Sequence, residues 1–442
     1  MKILIYGINF SPELTGIGKY TGEMAAWLAA RGHAVRVVTA PPYYPDWKIG
    51  AGFRNGWSTE VMYVSGAAVS ASGGDGRLKS TLQNAVYRCP LWVPTQPGGI
   101  KRLVHLASFA LTSLPVLLRQ AFWRPDVVWV VEPALFCAPG AVALAKICGA
   151  KAWLHVQDFE VDAAFDMGLL RGKRLRSLVA GAERWLMRRF DVVSTISQRM
   201  HQRLLDKGVA PAKAVLAVNW VDMAAFALPS PDGVAAYRRE LDVPDNAVVA
   251  LYSGNMGGKQ GLEVLAEVAR LCLGGVGRSK ILFVFCGNGA GRADLVTRCQ
   301  GLGNVRFLDL QPASRLADLL ATADIHLLPQ RADAADLVMP SKLTGMLASA
   351  RPVVATAHVG TELAMVVGGV GHAACGVVVP PGDALAFATA VQALAANLTW
   401  RESLGAAGHL YAQTHLDRDA VLGRFEADLL QLVAKVPPVA GV

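Results

Sequence analysis

Ala247-Val248-Val249-Ala250-Leu251-Tyr252-Ser253-Gly254-Asn255-Met256-Gly257-Gly258-Lys259-Gln260-Gly261 passes from an unbroken apolar run into a loop of four glycines. Leu262, Val264, Leu265, Val268, Ala269 and Leu271 then recur at helical spacing. The stretch therefore reads as a buried strand, a loop whose glycines let the backbone approach a ligand closely, and a helix. Val338-Met339-Pro340-Ser341-Lys342-Leu343 reads as a second corner, in which Pro340 stops the preceding segment, Ser341 caps a helix and Lys342 lies in its first turn. A cation there opposes the helix dipole unless an anion answers it. Lys259 and Lys342, at two corners of one domain, suggest a diphosphate clamp; the plainer reading of each is a solvated lysine beside an ordinary cap.

The same alternation runs along the whole chain of 442 residues, 53% of them apolar. It places the protein in the α/β class, with a length that calls for two domains. In the first half, a strand over 2–8 leads to Ser11-Pro12-Glu13-Leu14-Thr15-Gly16-Ile17-Gly18, then to a helix near 19–30 ended by Arg31-Gly32, then to a strand over 34–39. Further strands are expected at 60–64, 126–131, 151–156 and 191–195, and in the second half at 248–253, 280–286, 304–308, 324–328 and 352–355. Asn219–Asn246, rich in Pro, Ala and Asp, reads as a hinge, with the boundary near 222–246. Seven scattered cysteines without a Cys-x-x-Cys pair read as buried thiols of a reducing cytosol, and the N-terminus lacks the architecture of a signal peptide.

Charge divides unevenly. Residues 1–220 carry 26 Lys and Arg against 14 Asp and Glu, a net +12, whereas residues 221–442 carry 17 against 20, a net −3. Arg171, Lys173, Arg174, Arg176, Arg184, Arg188 and Arg189 concentrate much of the excess on one predicted helix. Such a patch suits a phosphate-bearing partner, either an anionic membrane or nucleic acid, or is simply a solvated face. Leu103–Leu118, flanked by Lys101-Arg102 and Arg119 and interrupted by His105 and Pro115, falls short of the roughly 20 residues of a spanning helix. It reads as a core-facing helix or as one lying in a membrane interface.

Taken together, these motifs resemble the family-4 retaining glycosyltransferases of the GT-B fold, and within them the colanic-acid fucosyltransferase branch of bacterial exopolysaccharide synthesis. The resemblance spans nearly the whole chain. It rests on Gly7 to Tyr20, Asn219-Trp220-Val221-Asp222, Ser253-Gly254-Asn255, Phe283–Gly289, Asp309–Pro329 and Pro340-Ser341-Lys342-Leu343. It implies two Rossmann-like domains facing a central cleft: an acceptor-binding domain over 1–222, onto which a C-terminal helix at about 408–435 packs back, and a nucleotide-sugar-binding domain over 247–407. By the same resemblance, Gly254, Asn255, Lys259, Ser341 and Lys342 would meet the donor diphosphate, Gly16 and Gly18 would close over it, and Gly287 and Asn288 would approach the base or ribose. For Gly287 a tight turn needing positive φ is the other reading.

His155-Val156-Gln157-Asp158-Phe159-Glu160 follows an apolar strand, so its polar side chains are expected at the edge of the cleft, where relatives place a His or an acidic residue. His155 or Asp158 would orient the acceptor hydroxyl or take its proton; the alternatives are an interior histidine and a helix cap. The chain departs from the family pattern at Leu337 and Gly345, where members carry the two glutamates of Glu-x7-Glu, and Asp333 or Asp336 could substitute for them. It departs again at Asn255, near the place of a common Arg. Asp417-Arg418-Asp419 has the form of a metal-binding Asp-x-Asp but reads better as a helix cap.

The expectation is a metal-independent glycosyltransferase without a cofactor, moving a sugar, fucose being one candidate, from a nucleotide-sugar donor to a lipid-linked saccharide acceptor. It would be cytoplasmic and held to the anionic inner face of the plasma membrane, with no nucleic-acid partner. The alternatives are a nucleotide-sugar epimerase on the same fold and a non-catalytic nucleic-acid-binding protein. A dinucleotide-dependent oxidoreductase is disfavoured, because Gly16-Ile17-Gly18 lacks a third glycine and the next strand ends Val38-Thr39-Ala40 without an acidic residue.

Overall fold

The computed structural model describes residues 1–13, 16–65, 68–71, 84–95, 99–132, 136–159, 162, 173–226, 230–257, 260–273, 280–332 and 340–434. The chain forms two compact units, Met1–Val218 with Leu422–Val442, and Asn219–Val421.

The first unit holds β1 (Lys2–Tyr6), β2 (Ala34–Thr39), β3 (Ser58–Ser65), β4 (Ala68–Ala71), β5 (Ala85–Arg88), β6 (Val127–Glu132), β7 (Lys151–Val156), β8 (Val192–Thr195) and β9 (Ala214–Leu216). They form a nine-stranded sheet in the order β4-β3-β5-β2-β1-β6-β7-β8-β9. The pairing is parallel except at β3, which runs antiparallel to β4 and β5. The second unit holds β10 (Ala247–Ser253), β11 (Lys280–Cys286), β12 (Val305–Leu308), β13 (Ile325–Leu328), β14 (Val353–Thr356) and β15 (Gly376–Val379), in the order β12-β11-β10-β13-β14-β15 and parallel throughout. The order of succession reverses between β10 and β13 in one sheet and between β1 and β6 in the other. Open sheets of this kind bind ligands outside the carboxyl ends of the strands at such a reversal.

Every residue of β10 is buried. Val248, Ala250 and Tyr252 face one layer, with Leu265, Val268 and Phe387, while Val249 and Leu251 face the other, with Tyr237 and Leu319. A strand covered on both faces needs an unbroken apolar run, which is why its sequence does not alternate. Tyr237 also changes the reading of the hinge. Asn219–Asn246 belongs to the second unit and contains the helix Pro231–Glu240, capped by Ser230, whose Tyr237 packs under β10 and β11 together with Leu241 just beyond its end. Pro231 sits at the start of that helix, where its missing N–H costs nothing.

The final segment is not one helix. A helix over Leu398–Tyr411 runs into a π-helical turn, Ala412–Leu416, and a new helix, Arg418–Ala434, follows. The break is set by Asp417, which is extended (ψ 128°) and accepts a hydrogen bond from the Ala420 amide at 3.0 Å. Asp417 is thus the cap of the last helix. Within the first unit, Phe425 packs edge-on against Trp129 and Trp153, and the Glu426 carboxylate receives Arg31 Nε at 2.6 Å and meets His33 Nε2 at 2.7 Å.

The helix Gly99–Arg119 is longer than the apolar segment that announced it. Continued to Phe122 it reaches 24 residues, long and apolar enough by length and composition to cross a membrane. One face is nevertheless committed to the unit: His105, Leu106, Phe109, Ser113 and Leu117 are buried, and the Tyr6 hydroxyl lies 2.7 Å from Ser113 Oγ.

Candidate functional site

At the carboxyl ends of β10 and β11, two glycine loops lie backbone against backbone. Gly254 N–H donates to Cys286 O at 3.0 Å, Met256 N–H to Asn288 O at 2.9 Å, and Gly291 N–H to Met256 O at 2.8 Å. Gly254, Gly287 and Gly289 have φ of 135°, 143° and 144°. A Cβ on Gly287 would stand 1.9 Å from Gly254 O, and one on Gly289 would stand 2.7 Å from Met256 O. Gly287 therefore answers to both positive φ and the close approach of a neighbouring loop. Asn255 and Asn288 are half-buried members of these loops.

Lys342 opens the short helix Lys342–Ala348. Its stem crosses Gly254, where a Cβ would lie 3.4 Å from Lys342 Cδ, and its ammonium lies over the Tyr252 ring, 4.0 Å from the centroid. The stem is half-exposed, but Nζ is shielded from solvent and has no hydrogen-bond partner among the described residues. Burial pushes this ammonium down to about 7. A lysine with three unmade hydrogen bonds gains something from the ring face, but far less than a paired charge would supply. It is a cation that no counter-charge answers among the described residues, placed at the reversal between β10 and β13. Tyr252 is fixed in turn, its hydroxyl donating to Asn255 O at 2.6 Å.

Ser341 does not cap this helix as expected. Its backbone is already helical (φ −59°, ψ −25°), so the hydroxyl cannot reach the amides that an extended residue would reach, and it makes no capping bond. Its carbonyl accepts from Thr344 Oγ1 at 3.0 Å. Arg331, which follows β13, was not anticipated: a Cβ on Gly261 would stand 3.2 Å from Arg331 Cγ, so a second basic residue packs on the glycine loop. Nothing in the sequence links positions 261 and 331, because the meeting is made by adjacent strand ends. Lys259, Val338 and Met339 lie outside the described residues.

In the first unit, the loop after β1 turns on Glu13. This carboxylate is buried, with Oε1 accepting from the Tyr43 and Tyr44 amides at 3.2 and 3.1 Å and Oε2 accepting from Asn9 Nδ2 at 3.0 Å. Burial raises it to about 7, against those hydrogen bonds and the Arg88 charge, which act to lower it. Gly18 is a glycine because a Cβ would stand 2.5 Å from Glu13 Oε2; Gly16 has φ of 62° with open space beside it. Arg88 holds the loop from beneath, donating to Ser11 O at 2.9 Å and Ala40 O at 3.0 Å while pairing with Glu60.

His155 does not emerge at the edge. It lies inside β7, stacked on Trp129, with Nδ1 2.8 Å from Ser194 Oγ and Nε2 2.9 Å from Gln157 Nε2. Burial pushes its imidazole down to about 3. A neutral ring with both nitrogens engaged holds Gln157 and Ser194 in place, and Trp153 Nε1 shares that Ser194 hydroxyl at 2.8 Å. Asp158 is half-buried just beyond the end of β7; Glu160 lies outside the described residues. Asp419 pairs with Arg418 at 3.4 Å, and no group of three His, Cys, Asp or Glu with metal-binding geometry occurs among the described residues.

Residues 15–220 match the family model for a glycosyl transferase 4-like domain, and residues 247–397 match that for glycosyl transferases group 1. A protein of Escherichia coli (strain K12), provisionally named colanic acid biosynthesis glycosyl transferase WcaI, is 42% identical over 440 residues, covering 97% of this chain and 100% of the relative. The chain belongs to the family-4 glycosyltransferases. Solved structures agree on the fold. Sucrose-phosphate synthase from Thermosynechococcus elongatus has a TM-score of 0.70 at 18% identity, covering 98% of this chain and 100% of that one. Anabaena Alr3699/HepE in complex with UDP and glucose has 0.67 at 15%, again covering 98% and 100%. WaaG, a glycosyltransferase involved in lipopolysaccharide biosynthesis, has 0.62 at 15%, covering 97% and 99%.

The glycosyltransferase has the GT-B fold, and its membership favours transfer over the epimerase and nucleic-acid readings. Its departure at Gly345 has a local cause. A Cβ there would stand 3.1 Å from Leu320 Cδ1 and 3.7 Å from the Phe226 ring, so a side chain at this position requires Leu320 to give way and would point a carboxylate at apolar neighbours. Leu337, Asp333 and Asp336 lie outside the described residues.

Proposed function

We infer that the enzyme transfers a sugar, with fucose as one candidate, from a nucleotide-sugar donor to a lipid-linked saccharide in exopolysaccharide synthesis of the colanic-acid kind. The single observation that carries this reading is the shielded ammonium of Lys342 at the reversal of the second sheet, which has no hydrogen-bond partner among the described residues. Cleavage of the anomeric C–O bond leaves negative charge on the departing nucleotide diphosphate. A fixed cation and loop amides that meet this charge stabilise the transition state more than the ground state. Lys342, Gly254, Asn255, Ser341 and, with them, Lys259 are assigned to the diphosphate, Gly287 and Asn288 to the base or ribose, and Gly16 and Gly18 to closure over the donor. The acceptor hydroxyl attacks from the face the diphosphate leaves, which retains configuration, and Asp158 orients it. No metal and no cofactor is required by this scheme.

The colanic-acid context is supported by the 42% identity to WcaI, and the nucleotide-sugar donor by the UDP complexes of HepE. A cytoplasmic site on the anionic inner leaflet is supported by the net +12 of the first 220 residues and by exposed Arg174, Arg176, Arg184, Arg188 and Arg189; Arg171 lies outside the described residues. The test is thermal stabilisation by GDP, UDP, ADP, CMP and their sugars, since a ligand that binds only the native state raises its melting temperature. One nucleotide and its sugar should stand out; indifference to all of them would remove the donor reading.

A further inference from the structure

We propose that a groove of about 570 Å³ in the first unit seats the isoprenoid chain of the acceptor lipid. The inference rests on the lipid-linked acceptor proposed above and gives it a place. Trp47, Trp92, Ile49, Leu91 and Val93 supply the apolar walls. Polar residues also line the groove, and three of them are tied to the backbone of its own walls. Asn55 donates from Nδ2 to Leu91 O at 2.7 Å and accepts the Leu91 amide at 2.9 Å. Ser108 Oγ accepts the Trp92 amide at 2.9 Å and donates to His105 O at 2.7 Å, and Thr112 Oγ1 donates to Pro90 O at 2.5 Å. A groove walled mainly by indole and aliphatic surface, with these three polar side chains turned toward their own backbone, suits a hydrocarbon.

Three further observations point the same way. Trp47 has φ of 52°, a conformation that a bulky residue holds only where its surroundings fix it, and its ring is fixed against Tyr43 and His105. Ile100, Val104, Leu111 and Leu118 share the outward face of the helix Gly99–Arg119, next to Ser108 and Thr112 of the groove wall, and Ile100 and Leu111 are 74% and 71% exposed. The apolar surface therefore continues beyond the groove. At its rim stands exposed Lys48, with exposed Lys101 at the start of that helix, matching the phosphates that join such a chain to its saccharide.

The experiment uses the full chain and farnesyl diphosphate below its micellar concentration, titrated by calorimetry with saturating inorganic diphosphate present to occupy the donor clamp. Farnesyl diphosphate should bind. Trp92→Ala should weaken it at least tenfold and Lys48→Ala severalfold without lowering the melting temperature, while Trp92→Phe should restore it. Val93→Asp makes the same test should Trp92→Ala fold poorly. Binding unmoved by these variants, or a free oligosaccharide held in the groove in place of farnesyl diphosphate, overturns the proposal. So does loss of anionic-vesicle binding in Trp92→Ala with no effect on farnesyl diphosphate, which would make this a membrane face. Transfer to a soluble saccharide acceptor, measured alongside, separates the two readings: its persistence without farnesyl binding condemns the groove alone, and its absence with farnesyl binding condemns the transfer reading alone.

Discussion

The Lys342 ammonium lies 4.0 Å from the centre of the Tyr252 ring and meets no hydrogen-bond acceptor among the described residues. Tyr252 is the penultimate residue of β10, and Lys342 opens the helix that follows β13, so the contact spans the point where strand order reverses. A stable fold does not need such an arrangement. A buried cation without a counter-charge costs stability, and its persistence makes sense if an anion arrives to answer it.

Anion binding should therefore take up a proton. Burial holds Lys342 near 7, so above that pH it is largely neutral, and a diphosphate restores the charge. Affinity for a nucleoside diphosphate should fall by about tenfold per pH unit from 7 to 9. Calorimetry in two buffers of different ionisation enthalpy should record the uptake at pH 8, and Lys342→Met should lose it. An unchanged proton count in that variant would mean another group is titrating.

Glu13 yields a stability prediction of defined sign. Its folded value, about 7, lies above the unfolded carboxylate value of 4.5, so the folded state holds a proton that the unfolded chain has released. Stability then falls as pH rises from 4.5 to 7, by on the order of 2 kcal/mol. Glu13→Gln, which keeps an acceptor for the Tyr43 and Tyr44 amides, should flatten that slope and leave the protein more stable at pH 8. Denaturant unfolding at pH 5 and pH 8 decides it, and an equal slope in both proteins would refute the assignment.

Gly287→Ala should be among the most damaging small substitutions in the second unit. The new methyl would meet Gly254 O at 1.9 Å in a backbone of φ 143°. Combined overpacking and strain predict a loss on the order of 3 kcal/mol. Gly301→Ala, with open space around its Cβ at φ 79°, should cost clearly less. Equal effects in chemical denaturation would mean that the loop contact is slack.

Much of the second sheet was legible because a strand buried on both faces leaves an unbroken apolar run, as Ala247–Ser253 does. Two short strands were not. Ala85–Arg88 and Gly376–Val379 are four residues each and take their strand character from their neighbours in the sheet. Lys342 was visible as a lysine after Pro-Ser, but its burial was not, because Tyr252 comes from another strand. Glu13 was written in the loop before Gly16 and Gly18, and the clue that could have singled it out was a lone carboxylate among apolar and glycine neighbours with Asn9 one helical turn earlier. His155 follows the second of its two readings, the interior histidine: a polar residue near the end of a strand also fitted the cleft edge, but Ser194 and Gln157 satisfy it inside the sheet.

Chelation should leave transfer intact. The charge on the departing diphosphate is assigned to Lys342 and loop amides, and Asp417 is occupied as the cap of the final helix. Activity measured in excess EDTA should stay within about twofold of the untreated enzyme, a difference of a few tenths of a kcal/mol in barrier. A strict requirement for Mg²⁺ or Mn²⁺ would reopen the assignment.

The most direct measurement is turnover and stability of Lys342→Met side by side. Met fills the same space, keeps contact with the Tyr252 ring and removes the charge. Losing a preorganised group that acts on the leaving diphosphate should cut kcat by roughly 10²–10³. Losing a buried, unanswered cation should at the same time hold or raise the melting temperature of the ligand-free protein. Slow transfer in a protein at least as stable as the parent is the predicted result; unchanged kcat would contradict the account.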